Sequence, residues 1–454
     1  MLFTIIMKEL RHNLLTLRFT IFFLLLFALI VGSTLTMGSK TASRMAAYER
    51  WRSERLEKLR EMDSVWDLRW HGISTMKRPN MLSVFAGGLE NLMSRRIQVA
   101  LFQGIQLVGS GGAGNPVFSL FTRPDFLYVV NVVLSLIALL FTFDAVCGEF
   151  ESGTLKLLMS NSVPRYTLIL GKWIGGYLTL CIPLIMASLA ALTALISLTA
   201  VTFTGEELLC GALLLGISLL YVSIFFALGM AISILTKQAS TALMIALFSW
   251  VVLVLAIPNL APVVAREMIE LPSSSEIVGR RKAIDDKVYR TYRKNTTWSM
   301  PWQERVRIFD EFKEKGEREK QMLEMDYGKR VSFQGELAGI LARISPSSSY
   351  VYAGTNIVGT GTTGLKAQKQ FIYRFSEDYR KAVRRLEEKE FEKAKEGDYS
   401  EEPFDVRELP DDEFRGSPIA RNIQESLPDI MLMAISNMAL FMLAYVRFIR
   451  YSVI

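Results

Sequence analysis

The sequence predicts a mainly α-helical, polytopic membrane protein with six transmembrane helices and two extracytoplasmic domains, which are helical with a minor β part in the first. Half of the 454 residues are hydrophobic, yet 21% are charged. The two kinds of residue are segregated: the run 19–32 contains no charge, while 60 of the 97 charged residues lie between Val263 and Leu427. Uncharged runs beside strongly charged stretches indicate membrane spans joined to large water-facing parts. This pattern excludes disordered, collagen-like and disulfide-scaffold proteins.

Six segments are apolar over about the 20 residues that a helix needs to cross the hydrocarbon core. They are 19–38, 126–147, 173–200, 208–236, 239–262 and 429–449. Two long polar stretches separate these spans, 39–125 after the first and 263–428 after the fifth. We expect these two stretches to form the extracytoplasmic domains.

The first 18 residues have a helical pattern of their own. Phe3, Ile6, Leu10 and Leu14 recur at helical spacing, and Lys8 lies on another face. The pattern favours an amphipathic helix over 1–18 at the cytoplasmic membrane surface, although an extension of the first span is the alternative. The length of the apolar run that follows, and of the segment before it, disfavours a cleaved signal peptide.

The distribution of basic residues predicts the orientation of the chain, because short loops rich in Lys and Arg stay in the cytoplasm. With six spans, all four basic sets fall on one side, whereas the short loop after the third span carries Glu206 and Glu207 and no basic residue. We therefore expect a multi-pass protein of the inner (plasma) membrane with both termini cytoplasmic, including the tail 450–454. The basic residues are Lys8, Arg11, Arg18, Lys156, Arg165, Lys172, Lys237, Arg447 and Arg450.

The two polar stretches differ in pattern. The first begins with charged, helix-forming residues, which predict that the first helix continues beyond the membrane as a stalk. The β-branched residues of 96–108 favour one or two strands. In the second stretch, 302–344 and 367–396 indicate two long helices, with 345–364 as a linker and an acidic loop at 397–418 leading back to the membrane.

The chain offers little for metal, catalytic or cofactor chemistry. Its three cysteines lie in or beside apolar segments, and only two histidines are present, so a zinc site or a His-based nucleophile is not expected. Two glycine clusters match nucleotide loops by spacing alone. The cluster 109–114 is followed by Asn115 and Pro116 where a helix would have to begin, and 359–364 is followed by Leu365 where a lysine is required. The three cysteines and two histidines are Cys147, Cys181, Cys210, His12 and His71.

Polar residues inside the bilayer are rare and often functional, so Asn131, Asn437 and Asp144 are candidates. Asn131 and Asn437 lie at some depth in the second and sixth spans, and Asp144 lies near the cytoplasmic end of the second. The middle of each predicted span carries no ionisable residue. This disfavours a transporter driven by protons or sodium ions, which usually needs buried carboxylates. Helix packing is the alternative role for the two asparagines.

The connection 148–172, between the second and third spans, carries the most specific pattern. Glu149 and Glu151 precede Gly153 and Thr154, where a short amphipathic helix can start, with Leu155, Leu158 and Met159 on one face. Pro164 and Arg165 end that helix, and the chain enters the third span near Lys172. A short helix parallel to the membrane offers a soluble partner a rigid element to push, although an ordinary connector is the alternative.

This order of residues resembles the cytoplasmic coupling segment of permeases of the type-2 ATP-binding-cassette (ABC) exporters. The shared features are an acidic pair, Ser-Gly-Thr-Leu, Leu-Leu, Pro-Arg, and Gly-Lys at the next span. The resemblance implies an amphipathic N-terminal helix, six spans and a segment that docks on a separate ATPase. The coupling residues that it implies are Glu149, Glu151, Gly153, Thr154, Leu157, Leu158, Pro164, Arg165 and Lys172.

The resemblance further implies a permease that is not an enzyme by itself and holds no cofactor, since the ATPase subunits bind the ATP. Its expected partners are that cytoplasmic ATPase, a second permease (a second copy or a related chain), membrane lipid and an extracytoplasmic protein, but no nucleic acid. About 250 residues lie in the two polar stretches, whereas compact family members have little outside the membrane. Two alternatives stay open: a transenvelope force transmitter that relays ATPase motion without cargo crossing, and, with less support, a membrane enzyme.

Overall fold

The computed structural model describes residues 1–60, 65, 68, 71–100, 104–108, 124–160, 164–199, 203–297, 299–395, 408–410 and 413–450. The chain forms two compact units. The first combines Met1–Ala256 with Ser345–Ile454, and the second is Ile257–Ile344. The stretch 263–428, expected to be one domain, is therefore divided between the two units.

Helices dominate both units. In the first unit they are α1 (Leu2–Leu14), α2 (Leu17–Arg60), α3 (Phe126–Leu140), α4 (Cys147–Glu151), α5 (Thr154–Ser160), α6 (Arg165–Thr199), α7 (Gly205–Leu235) and α8 (Ala239–Trp250). The second unit has α9 (Ile257–Met268), α10 (Ser274–Asn295) and α11 (Trp302–Ala342). The first unit resumes with α12 (Pro346–Val358), α13 (Thr362–Lys395) and α14 (Ile419–Ile449).

Five helical segments of the described residues are long and apolar enough to cross a membrane. They are Leu17–Leu59, Arg165–Leu198, Gly205–Leu235, Ala239–Met268 and Ile419–Ile449. The expected span 126–147 contains the apolar but shorter helix α3, which is followed by turns at 141–146. The mainly helical, multi-pass character is thus confirmed, and the count of six spans remains a prediction.

The N-terminal part of the chain forms two separate helices. Helix α1 ends at Leu14 and α2 begins at Leu17, so the amphipathic helix is separate and does not simply extend the first span. Helix α2 then runs for 44 residues without a break, well past the apolar run. No Gly or Pro interrupts its charged second half, which explains why the helix continues as the sequence predicts.

The predicted strands in 96–108 are present as part of a small sheet. Strands β1 (Ile73–Met76), β2 (Arg96–Ala100) and β3 (Gly104–Val108) form an antiparallel sheet in the order β1-β2-β3. Its apolar face packs against α13 and the end of α2 in one buried cluster. The Tyr379 hydroxyl, on α13, donates a hydrogen bond to the Leu68 carbonyl. Burial raises the pKa of the Tyr379 phenol, which therefore stays a neutral donor.

The prediction of a linker at 345–364 is wrong, because most of this stretch is the buried helix α12. Ser345 caps its first turn, Pro346 occupies the first helical position, and Gly359 ends it with a left-handed backbone (φ 77°). These are ordinary helix start and stop signals. All residues from Ser347 to Val358 are buried, and α12 packs against α7 and α14. The serine-rich composition of this stretch thus suggests a loop, whereas the chain forms a buried helix of the first unit.

The glycine cluster 359–364 forms a closed turn after α12. The Thr355 carbonyl accepts hydrogen bonds from the backbone N–H groups of Thr360 and Gly361, both at 2.9 Å. A Cβ atom at Gly364 would lie 2.0 Å from the Gly359 carbonyl oxygen. The glycines thus serve the turn itself. The other cluster, 109–114, lies outside the described residues.

The second unit is held together by its own helices. Helices α9 and α10 both pack against α11, and ion pairs such as Lys287 with Glu319 (2.9 Å) connect α10 to α11. The ring of Tyr292 meets the ring of Phe309 edge-on at 5.3 Å. Helix α11 confirms the long helix predicted over 302–344, and α13 that over 367–396.

Candidate functional site

A tight turn separates α4 from α5 within the predicted coupling segment. Gly153 lies in this turn with φ 74°, and its N–H donates to the Phe150 carbonyl at 3.1 Å. No heavy atom lies within 4 Å of a Cβ added there, so the backbone angle and not the available space favours glycine. The hydroxyls of Ser152 and Thr154 both donate to the Glu149 carbonyl, at 3.2 and 3.3 Å. Helix α5 begins at Thr154, where the sequence predicts a helix start.

Helix α5 has one buried and one exposed side. Leu155 is fully buried, whereas the Leu157 side chain is 68% exposed, and Lys156 is exposed beside it. Leu158 is half-buried. The buried leucine anchors the helix to the protein, and Leu157 lies on the exposed side.

Lys172 connects the coupling segment to two further helices. Its ammonium group lies 2.6 Å from Glu149 Oε1 on α4 and 3.4 Å from Glu9 Oε1 on α1, while Lys172 itself belongs to α6. The side chains of all three residues are mostly buried. Because an unpaired charge is costly to bury, these contacts hold α1, α4 and α6 at one point.

Two glycines allow α1 to approach α6 closely at the same place. A Cβ atom at Gly171 would lie 2.5 Å from Cγ2 of Ile5, and one at Gly175 would lie 2.8 Å from Cβ of Glu9. Small residues four apart on one helix face let two backbones come together. The glycines therefore position Glu9 beside Lys172.

Other contacts attach the coupling segment to α7 and α8. The Ser233 hydroxyl, on α7, accepts hydrogen bonds from the backbone N–H groups of Val146 (3.0 Å) and Cys147 (3.1 Å). Glu151 Oε1 accepts a hydrogen bond from the backbone N–H of Ala239, the first residue of α8, at 3.2 Å. The segment is thereby bonded to the connection between two long apolar helices.

The exit of the segment contacts the end of the last helix. Arg165 Nη1 donates to the Ile449 carbonyl at 2.7 Å, at the C-terminus of α14. A cation there also interacts favourably with the helix dipole. Nearby in sequence, Pro164 is exposed. Asp144 forms a partly exposed ion pair with Arg18 at 3.2 Å.

The two asparagines that the sequence singles out, Asn131 and Asn437, lie in a different place and join helices. Asn131 Oδ1 accepts a hydrogen bond from the Ser347 hydroxyl at 2.8 Å, and its backbone carbonyl accepts one from the Tyr221 hydroxyl at 3.0 Å. Asn437 Nδ2 donates to the Ser223 hydroxyl at 2.9 Å. These contacts fit the packing role.

The structure thus brings together Glu149, Glu151, Gly153, Thr154 and Lys172, with Arg165 at the exit. Sequence reasoning missed the acidic partner on α1, the glycine pair on α6 and the hydroxyl on α7. The spacing of Gly171 and Gly175, together with an amphipathic first helix, was the one available signal for that close packing. Within the described part of the chain, no group of three or more His, Cys, Asp or Glu is placed to hold a metal ion.

Comparison with known proteins gives a match along nearly the whole chain. The profile of the ABC-2 family transporter proteins matches residues 3–453. A protein of Pseudomonas aeruginosa, named as a probable ABC transporter permease protein NosY, is 34% identical over 177 residues, which are 37% of this chain and 64% of that protein. The protein of the same name from Stutzerimonas stutzeri is 29% identical over 202 residues, or 43% of this chain and 68% of that protein. The chain thus spans about two thirds of the length of these relatives.

Proposed function

Because the chain belongs to the ABC-2 family of transporter proteins, we propose that it is the membrane permease subunit of an ABC exporter. A separate cytoplasmic ATPase binds and hydrolyses the ATP, and a second permease chain completes the membrane part. The names of the two relatives, both probable ABC transporter permeases, support the assignment.

The contacts of Lys172 are the observation that carries the coupling part of the proposal. A push on α5 reaches α4 through the short turn at Gly153, and Glu149 on α4 is bonded to Lys172 at 2.6 Å. Separating these mostly buried charges is expensive, so movement of α4 takes α6 with it instead of breaking the contact. The same ammonium group holds Glu9, which extends the movement to α1.

A second route leads from the segment to the remaining long helices. Ser233 ties the start of α4 to α7, and Glu151 ties its end to α8. Arg165 adds the C-terminus of α14. A single displacement of the coupling segment therefore acts on several apolar helices at one end of the unit.

The exposed side of α5 is the surface that we assign to the ATPase. Leu157 is a large apolar side chain that is 68% exposed on a short helix, while Leu155 anchors the opposite side. An apolar residue that fills a pocket at the centre of an interface commonly contributes much of the binding energy.

The test is co-purification of the chain with its ATPase in mild detergent, followed by measurement of ATP hydrolysis. Leu157→Glu is expected to weaken ATPase binding by about tenfold or more and to abolish stimulation of hydrolysis. Met325→Glu, at a similarly exposed apolar residue of α11, is the matched control and is expected to retain both. If Leu157→Glu binds and stimulates the ATPase as the control does, the assignment of this surface is wrong.

A further inference from the structure

A cavity of about 590 Å³ lies in the first unit, at the end of α7 that is remote from the coupling segment. Its walls include the first turns of α7 and α14, the end of α12 and residues 77–82. Ser233, near the other end of α7, is bonded to α4, and Gly205 lies 28 residues earlier on the same helix. At the helical rise of about 1.5 Å per residue, the cavity is about 40 Å from the coupling segment, at the other end of α7.

The cavity is lined by equal numbers of basic and acidic side chains. Lys77 is already paired with Glu90 outside the lining, at 2.6 Å, and Arg415 is paired with Glu413 at 3.3 Å. Within the described ranges, Arg78 and Glu206 have no ion-pair partner. Glu207 has none there either, although it caps α7, so the lining keeps one cation and two carboxylates for a ligand. The six charged residues are Lys77, Arg78, Arg415, Glu206, Glu207 and Glu413.

Two acidic residues of the lining, Glu206 and Glu207, lie on α7, whereas Lys77 and Arg78 lie on the segment that faces α14. Glu207 completes a capping box with Thr204, so the N-terminus of α7 already has its side-chain acceptors. Helix α14 begins after Pro418 with no side-chain cap, which leaves first-turn N–H groups for an anion. A Cβ atom added at Gly359 would lie 3.7 Å from Nδ2 of Asn80 and 3.1 Å from Nδ2 of Asn422. The segment that carries Arg78 therefore lies beside the start of α14.

Apolar groups complete the lining and continue beyond it. Leu82, Val358 and Phe414 are buried in the cavity wall, and Leu208 and Leu209 are exposed on the neighbouring surface of α7. Two apolar membrane helices begin at this level, so acyl chains can follow that surface. We propose that the cavity binds a phospholipid through a phosphoethanolamine headgroup, with the phosphate at Arg78 and the start of α14 and the primary ammonium at Glu206 and Glu207.

The balance of charge selects this class of headgroup. A net anionic headgroup would offer no cation to Glu206 or Glu207, whereas Glu413 is already paired with Arg415. A primary ammonium donates three hydrogen bonds and suits two adjacent carboxylates, while the phosphate oxygens accept from a guanidinium and backbone N–H groups. The proposal concerns a site remote from the coupling segment and stands independently of the proposed function.

The test compares two lipids with the same acyl chains on the delipidated full-length protein by native mass spectrometry. Phosphatidylethanolamine is expected to be retained about tenfold more tightly than phosphatidylglycerol, the difference that one charge-assisted hydrogen bond confers. Glu206→Lys should remove this preference and Arg78→Glu should weaken the retention of both lipids, whereas Arg374→Glu, at an exposed arginine of α13 away from the cavity, should change neither. Equal retention of the two lipids by the wild-type chain would overturn the proposal.

Two measurements on the wild-type chain keep the test valid if a variant fails to fold. Hydrogen–deuterium exchange of backbone amides in 205–210 and 419–422 should slow with phosphatidylethanolamine and not with phosphatidylglycerol. No selective protection would overturn the site. Soluble glycerophosphoethanolamine should compete only weakly; if it fills the site as tightly as the lipid does, the ligand is a soluble phosphoethanolamine compound and the assignment to a phospholipid is wrong.

Discussion

Charged side chains hold the coupling segment, whereas neutral hydroxyl and amide groups hold the buried helix α12. Lys172 meets Glu149 and Glu9 where the apolar helices end. At α12, Ser347 donates to Asn131 at 2.8 Å, and the Tyr350 hydroxyl lies 2.7 Å from the Ser218 hydroxyl at mid-length of α7. Among apolar helices, neutral hydrogen bonds satisfy polar groups without the desolvation of a charge. A substitution thus leaves an uncompensated charge in the first region and an unsatisfied neutral group in the second.

The neutral region is also where the backbone departs from regular helix. A π-helical turn, Val129–Leu134, lies within α3, and a second, Val251–Ala256, follows α8. The Ser345 hydroxyl donates to the Leu253 carbonyl in the second turn, and Asn131 belongs to the first. Such turns disturb the regular helical hydrogen bonds and leave groups free for side chains. Hydrogen bonds therefore fix the N-terminus of α12 to both irregular turns, whereas ion pairs between side chains fix the coupling segment.

We expect the largest loss of stability from Lys172→Met, which removes the cation shared by Glu149 and Glu9. The change leaves Glu149 and Glu9 mostly buried without their cation, which we expect to lower the free energy of unfolding by about 3 kcal/mol. It should also abolish stimulation of the ATPase. Thermal unfolding in detergent measures the first effect and ATP hydrolysis by the complex the second.

Lys156→Met is the matched control for this change, since Lys156 is exposed on α5 and its loss should alter stability by less than about 0.5 kcal/mol. Adding Glu9→Gln and Glu149→Gln to Lys172→Met should restore part of the lost stability, because the buried charges are then gone. A Lys172→Met variant as stable as the control would contradict the role given to the ion pairs.

The corresponding change in the neutral region is Ser347→Ala, with a smaller expected effect. It removes the hydroxyl that donates to Asn131 Oδ1 and leaves a buried neutral acceptor, so the loss should be about 1.5 kcal/mol. Ser436→Ala, at an exposed hydroxyl bonded within its own helix, should be nearly neutral in the same unfolding measurement. A loss as large as that of Lys172→Met would remove the distinction between the two regions.

The charged region was largely predictable from sequence, and the neutral one was not. Glu149, Gly153 and Lys172 follow from a local order of residues, because helix breaks and turn residues act over a few positions. Glu9 lies 163 residues from Lys172 in the chain, and no local pattern identifies such a partner. The serines of α12 suggest a loop when they are considered locally, whereas distant helices enclose them and Asn131 accepts a hydrogen bond from one. Burial by distant segments cannot be read from a local composition.

Gly153→Ala tests the turn that joins the two halves of the charged region. A left-handed backbone at alanine should reduce stability by about 1 kcal/mol, with no steric clash to add to it. Because the turn sets the direction of α5, stimulation of the ATPase should fall more than stability does. Gly153→Asn, which tolerates this backbone, should behave more like the wild type; equal loss in both variants would show that the backbone angle is not the cause.

The smallest expected effect belongs to Arg165→Gln, and it distinguishes the two regions by salt. Arg165 is exposed and its guanidinium lies 2.7 Å from the Ile449 carbonyl, so the charge contributes about 0.5 kcal/mol through the end of α14. Dissolved salt screens such an exposed contact. The difference in unfolding temperature between wild type and Arg165→Gln should therefore shrink at high salt, while that of Ser347→Ala should stay constant. Arg165→Lys keeps the charge, so its unfolding temperature should lie between those of the wild type and Arg165→Gln. An effect of Arg165→Gln that does not depend on salt would contradict an electrostatic contact at this helix end.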